Sequence, residues 1–205
     1  VPVVEPSDSA EAKDFMKYAY DLSEKYDTPV AVRLSTRISH SQSMVELCER
    51  NEVGVKEYTK DFAKYTMMPA QARVRHAEVE KHIEQLKALA EEIPLNQIEW
   101  GDRRIGIITS GISYQYAKEA LGENASFLKL GMVYPLPEKL IREFAEQVDQ
   151  VYVVEELDDF LETHCKKIGV PVVGKEIFPL CGELSADIVR EKILGEKKGD
   201  FAKAE

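Results

Sequence analysis

Arg104-Ile105-Gly106-Ile107-Ile108-Thr109-Ser110-Gly111 and, after one helical segment, Ser126-Phe127-Leu128-Lys129-Leu130-Gly131 decide the fold. Each run carries a short apolar core bounded by small turn residues, the pattern of a strand buried on both faces. The segment between them, 112 to 121, reads as a helix. Two buried strands joined by a helix form a βαβ unit, and such units are parallel and right-handed. Reading outward toward the C-terminus, Gly131-Met132-Val133-Tyr134-Pro135-Leu136-Pro137 turns into a helix over 138 to 147. Gln150 to Val154 is the next strand. A helix over 158 to 168 follows, with Gly169 as its stop. Pro171 to Val173 begins a shorter strand, Ser185 caps a last helix to Leu194, and Gly195 closes it. Four strands alternating with four helices predict a largely parallel sheet covered on both faces, spanning 101–195.

The N-terminus reads as a second, smaller piece. Residues 2 to 4 are a short buried strand. Asp8 followed by Glu11 is a capping-box-like helix start, with Asp in place of Ser or Thr. Ala12, Phe15, Met16, Ala19 and Leu22 recur at helical steps, so the helix runs from Ser9 to Tyr26. Asp27-Thr28-Pro29 breaks it, and Pro29 to Ser35 is a strand. One βαβ unit cannot cover both faces of its own sheet. It either adds to the sheet that follows or needs neighbours upstream. The chain opens Val1-Pro2-Val3-Val4 with no initiator Met, as expected of a processed or truncated product.

Between the two lies 41–100, expected to be a helical linker that packs across both parts. Its Gly and Ser content is too low for a flexible tether. A long helix is signalled from Pro69 to Glu92, with a heptad-like stripe of Val79, Ile83, Leu86, Ala90 and Ile93. The segment 196–205 reads as a lysine-rich tail.

Composition excludes several classes. The chain has 205 residues, 44% hydrophobic and 31% charged, which is ordinary for a globular protein rather than a disordered one. A net charge of −10 argues against nucleic acid, which needs a basic face. No apolar run approaches a membrane span, and no signal peptide opens the chain. Cys48, Cys165 and Cys181 form no CxxC pair, so neither an iron–sulfur cluster nor a zinc ribbon is encoded. All three are expected to be free buried thiols in a reducing cytosol, and the chain is expected to be cytoplasmic.

Several positions could carry chemistry. Ser110-Gly111 is a small-residue turn from strand to helix, where backbone N–H groups could hold an anion such as a phosphate. It is neither a GxGxxG fingerprint nor a P-loop. Arg37 and His40 follow the carboxyl end of the second strand, the place where ligands reach open α/β sheets; the alternative is an ordinary polar loop. Glu155-Glu156 ends a strand, but neighbours on a strand point to opposite sides, so a helix-capping or interface charge is the preferred reading. His76 with Glu80, and Glu78 with His82, have helical spacing yet no HExxH, so no metal is expected. His164 and Cys165 face different ways and make no nucleophile–base pair. No catalytic residue is assigned.

Several runs together resemble the alpha subunits of the indolepyruvate ferredoxin oxidoreductase family. They are Val3-Val4-Glu5-Pro6-Ser7-Asp8-Ser9, Arg33-Leu34-Ser35-Thr36-Arg37-Ile38-Ser39-His40-Ser41, Gly106-Ile107-Ile108-Thr109-Ser110-Gly111 with Tyr114 and Tyr116, Leu128 to Pro137, Val153-Val154-Glu155-Glu156, and Gly182-Glu183-Leu184. The resemblance covers nearly the whole chain. It implies a three-layer α/β domain like the transketolase C-terminal domain over 101–195, preceded by a βαβ remnant at 1–40 that ends a thiamine pyrimidine-binding domain. The family oxidatively decarboxylates aryl 2-oxoacids with thiamine diphosphate, Mg²⁺ and coenzyme A, and passes electrons through iron–sulfur clusters to ferredoxin. The glutamate that activates the thiamine pyrimidine should lie upstream of this region. The G-D-G…N diphosphate and Mg²⁺ segment and the ferredoxin-type cysteines should lie downstream. A thiamine carbanion needs both anchors. This chain alone is therefore expected to bind no cofactor and to have no turnover, with a structural or interface role. Implied partners are the remaining domains of the same subunit, a smaller beta subunit and ferredoxin, within an oligomer. The alternative is a stand-alone α/β module that mediates contacts or binds phosphate or CoA.

Overall fold

A computed structural model describes residues 1–196; the expected tail lies, beyond Glu196, outside the described residues. The chain begins with β1 (Val3–Val4), α1 (Ser9–Tyr26) and β2 (Ala31–Val32), and the two strands pair in parallel as expected. Asp8 caps α1, accepting the Glu11 N–H at 2.8 Å. The Glu11 carboxylate returns to the Ser7 amide and hydroxyl, both at 2.8 Å, so the reciprocal box closes one residue further out than usual. Phe15, Ala19 and Leu22 form the buried stripe.

Next come α2 (Thr36–His40), α3 (Phe62–Tyr65) and α4 (Pro69–Ala90), with no helix or strand between Ser41 and Asp61. The polar run after β2 is thus a helical turn: the Ser35 side chain caps it and Ile38 is buried beneath it. The α4 stripe is buried only at its C-terminal end. Leu86, Ala90 and Ile93 pack with Val4, Phe15, Leu22 and Met132, whereas Val79 is 46% exposed.

The remaining strands are β3 (Gln97–Glu99), β4 (Ile105–Ser110), β5 (Ser126–Leu130), β6 (Met132–Tyr134) and β7 (Gln150–Val154). The helices are α5 (Gly111–Leu121), α6 (Glu138–Ala145), α7 (Phe160–Lys167) and α8 (Ala186–Leu194). The main sheet has the order β3-β5-β4-β7, parallel except for β3. β3 departs from the helical linker expected there. It is a three-residue edge strand with one apolar side chain, too short to carry a periodic signal. The strand expected at Pro171–Val173 is reduced to a bridge between Tyr152 and Val173, because Pro171 has no N–H to donate.

The two faces divide cleanly. Ile107, Phe127 and Val154 point toward α5 and α8, where Ala117 and Val189 are fully buried. Ile108, Leu128 and Val153 point the other way, toward Ile141 of α6 and Leu161 and Cys165 of α7. This is the three-layer arrangement expected of alternating strands and helices.

β6 solves the packing problem of the N-terminal unit. It leaves the main sheet at Gly131 and pairs antiparallel with β1, giving a second sheet of order β2-β1-β6. The junction needs glycine: a Cβ on Gly131 would sit 2.4 Å from the Leu95 carbonyl oxygen and 2.9 Å from Phe15 Cζ. The Glu5 N–H donates to the Gly131 carbonyl at 2.8 Å, and the Gly131 N–H donates to Leu95 at 3.1 Å. A partly buried ion pair between Lys129 of β5 and Glu11 of α1 ties the two sheets further. Among the described residues no helix is long and apolar enough to cross a membrane.

Candidate functional site

The main sheet reverses its winding direction at β4. From β4 the chain moves to β5 on one side, then returns to β7 on the other. In open parallel sheets ligands gather outside the carboxyl ends of the strands at such a switch point. A cavity of about 540 Å³ lies there, bounded by Ser110 at the end of β4 and by Glu155 to Leu161 after β7, and roofed by β1 and β6 through Val3 and Val133. Its volume suits a small molecule.

The floor is built by Glu5, which ends β1 and is 7% exposed. Its carboxylate accepts from the Ser110 hydroxyl at 2.9 Å and pairs with Arg33. Gly111 adopts φ +52°, and a Cβ there would meet Glu5 Oε1 at 2.9 Å, so the turn has room for the carboxylate only because it carries no side chain. The carboxylate in contact with the Ser110-Gly111 turn is thus the chain's own Glu5.

The far wall is the loop from β7 to α7. Glu155 is 8% exposed, and its two oxygens accept the Leu161 and Glu162 N–H groups at 2.8 and 3.0 Å. It caps α7 rather than facing solvent. Burial pushes its carboxyl above the usual range, against the two amide hydrogen bonds that hold it down. Glu156 and Asp158 line the cavity and form no ion pair among the described residues. Between them Leu157 sits at φ +61°, a left-handed conformation that a branched side chain adopts only under constraint.

Other sequence candidates fall elsewhere. Arg37 lies on α2 and pairs with Glu183, outside the cavity lining. His40 is exposed on the same turn. His76 and Glu80 meet at 3.5 Å on the exposed part of α4, and among the described residues no group of three His, Cys, Asp or Glu could hold a metal ion. Contrary to the expectation of three buried thiols, Cys48 and Cys181 are exposed; Cys165 is buried, and burial, then Glu155 and Glu162, push its thiol up to about 12. Sequence reasoning missed Glu5 and Ser113. Glu5 could have been found by applying to β1 the strand-end rule applied to β2. Ser113 carries no sequence signal; only the placement of α5 brings it to the cavity wall.

A thiamine diphosphate does not fit these residues. The diphosphate would meet Glu5, Glu156 and Asp158, with one arginine already spent on Glu5. No Mg²⁺ ligand set accompanies it among the described residues.

No family model matches the chain. Its sequence is 39% identical over 181 residues to the indolepyruvate oxidoreductase subunit IorA of Archaeoglobus fulgidus, covering 85% of this chain and 29% of that protein. It is 35% identical over 209 residues to the same subunit of Methanothermobacter thermautotrophicus, covering 95% and 34%. Among solved structures, a 2-oxoglutarate:ferredoxin oxidoreductase from Magnetococcus marinus, holding 2-oxoglutarate, coenzyme A and succinyl-CoA, superposes with a TM-score of 0.64 at 14% identity, over 95% of this chain and 42% of that one. A split-gene transketolase, an inactive beta4 tetramer, superposes with 0.51 at 15%, over 95% and 56%. These two likenesses show the fold, a transketolase C-terminal-like α/β domain. With the sequence matches, they place the chain in the 2-oxoacid oxidoreductase family. Within that family its similarity is to one segment of the indolepyruvate oxidoreductase subunit IorA, about a third of that subunit's length.

Proposed function

We propose that this chain is part of an enzyme that oxidatively decarboxylates aryl 2-oxoacids, indolepyruvate among them, to acyl-CoA with ferredoxin as electron acceptor. The observation that carries this reading is the match over 85 to 95% of the chain to IorA subunits. Thiamine diphosphate, Mg²⁺ and the iron–sulfur clusters would be held by the rest of that enzyme, since the carboxylate-rich cavity here suits none of them. Residues 1–40 then act as the end of the pyrimidine-binding domain, 41–100 as a linker, and 101–195 as the transketolase C-terminal-like domain. Arg37 and His40, on the turn after β2, belong to the edge of the assembled site. The chain's own work is to hold these parts in register. Glu5, Gly131 and the Lys129–Glu11 pair fix the pyrimidine-domain strands against the C-terminal-like domain. Partners in this reading are the remaining domains of the subunit, a smaller second subunit and ferredoxin.

The test is indolepyruvate- and CoA-dependent reduction of a viologen dye. The complete subunit with its partner is expected to reduce the dye, and this chain alone is expected not to. Turnover by the chain alone, or none by the complete enzyme with any aryl 2-oxoacid, would overturn the reading.

A further inference from the structure

We propose that the cavity outside β4 and β7 binds a small organic cation, a primary ammonium carried on an aryl or alkyl body. This inference does not rest on the reading above. Its position is the switch point of the main sheet. Its walls are mostly apolar, with Val3, Ile112, Val133 and Leu161 available to an uncharged body.

Charge selects the head group. Four carboxylates line the cavity, Glu5, Glu155, Glu156 and Asp158, against the single cation Arg33. Arg33 pairs with Glu5, and Glu155 spends both oxygens on α7 amides. Glu156 and Asp158 remain without an ion-pair partner among the described residues. Arg37 acts on Glu156 only through space and is itself paired with Glu183. An anion would have to displace or face the Glu5 carboxylate at the α5 N-terminus, so that end of the cavity repels it.

Two further features point to a ligand. Ser113 is 4% exposed, lines the cavity, and its hydroxyl has no hydrogen-bond partner among the described residues. Such a hydroxyl is available to accept a hydrogen bond from an ammonium or from a water that it orders. Tyr134 and Phe160, 43% and 54% exposed, also line the cavity, and aromatic faces attract ammonium groups.

The probe is 2-phenylethylamine, titrated calorimetrically into this chain at low salt, beside 2-phenylethanol and phenylacetate. The amine is expected to bind saturably, about tenfold or more tighter than the alcohol, with the acid weakest. The double variant E156Q/D158N keeps shape and exposure, and should bring the amine down to the alcohol's affinity with an unchanged melting curve. S113A should weaken the amine by a few-fold. Absence of saturable amine binding to the folded chain, equal affinity for the alcohol or acid, or full affinity in E156Q/D158N would each overturn the proposal. None of these outcomes bears on dye reduction by the complete enzyme.

Discussion

Replacing Lys129 by Met tests what holds the N-terminal sheet to the main one. The lysine is on β5, its side chain is 8% exposed, and its ammonium pairs with Glu11 on α1, whose side chain is 20% exposed. The ammonium also lies 4.4 Å from the centre of the Tyr114 ring. Methionine keeps the length and the apolar stem while removing the charge. Breaking a buried pair by deleting one partner typically costs about 3–5 kcal/mol, because the other charge stays behind uncompensated. Here Glu11 keeps its two hydrogen bonds from Ser7 and some access to water, which lowers the expected loss to about 2–3 kcal/mol. For a chain of this size that corresponds to roughly 4–12 °C in melting temperature. Urea unfolding of Lys129→Met, Glu11→Gln and the double variant gives the coupling directly. The double variant should recover most of the loss, with a coupling above about 1 kcal/mol. Amide exchange in α1 should speed up in Lys129→Met more than exchange in β4 and β7. A coupling below about 0.5 kcal/mol would refute the assignment of this pair as the tie between the two sheets.

Two other outcomes follow from the same packing. Gly131→Ala drives a Cβ into the Leu95 carbonyl, which cannot yield without moving β6, so a loss of about 3 kcal/mol or failure to accumulate folded chain is expected; a wild-type melting curve would contradict the close approach. At pH 8, Ellman's reagent should titrate the exposed Cys48 and Cys181 in the native chain and reach Cys165 only after unfolding. The folded Cys165 thiol is raised to about 12, so the unfolded state loses its proton first, and stability should fall as pH climbs from about 9 toward 12. A third native thiol titrating at pH 8 would show that α7 is not packed as described.

Much of the main domain was legible because its signals are local. The runs at β4, β5 and β7 are short, apolar and bounded by small residues, and each helix carries its own start or stop. Asp8, Ser185 and Gly195 terminate helices where the residue types require it. β3 was not legible, since Gln97-Ile98-Glu99 pairs at a sheet edge on the strength of its neighbour rather than its own pattern. Nor was the helical turn at Thr36–His40, where one buried Ile38 beneath a polar run decides the matter. Of the site, Ser110 and Gly111 were visible as a turn, but the group they serve was not. That group is the Glu5 carboxylate, more than a hundred residues away in sequence.

By itself, then, the amino-acid sequence determined the alternation of strands and helices, the two faces of the main sheet, and the kinship with a 2-oxoacid oxidoreductase subunit. These depend on periodicity, on capping residues and on runs of matching residues, all written within short stretches of chain. Only the tertiary structure decided where β6 goes. Met132-Val133-Tyr134 reads as a turn into the next helix, yet it leaves the main sheet and pairs with β1. That choice closes the N-terminal unit, brings Glu5 onto the α5 turn and encloses the cavity beside Glu156 and Asp158. No local pattern encodes it, because its free energy comes from contacts between residues far apart in the chain.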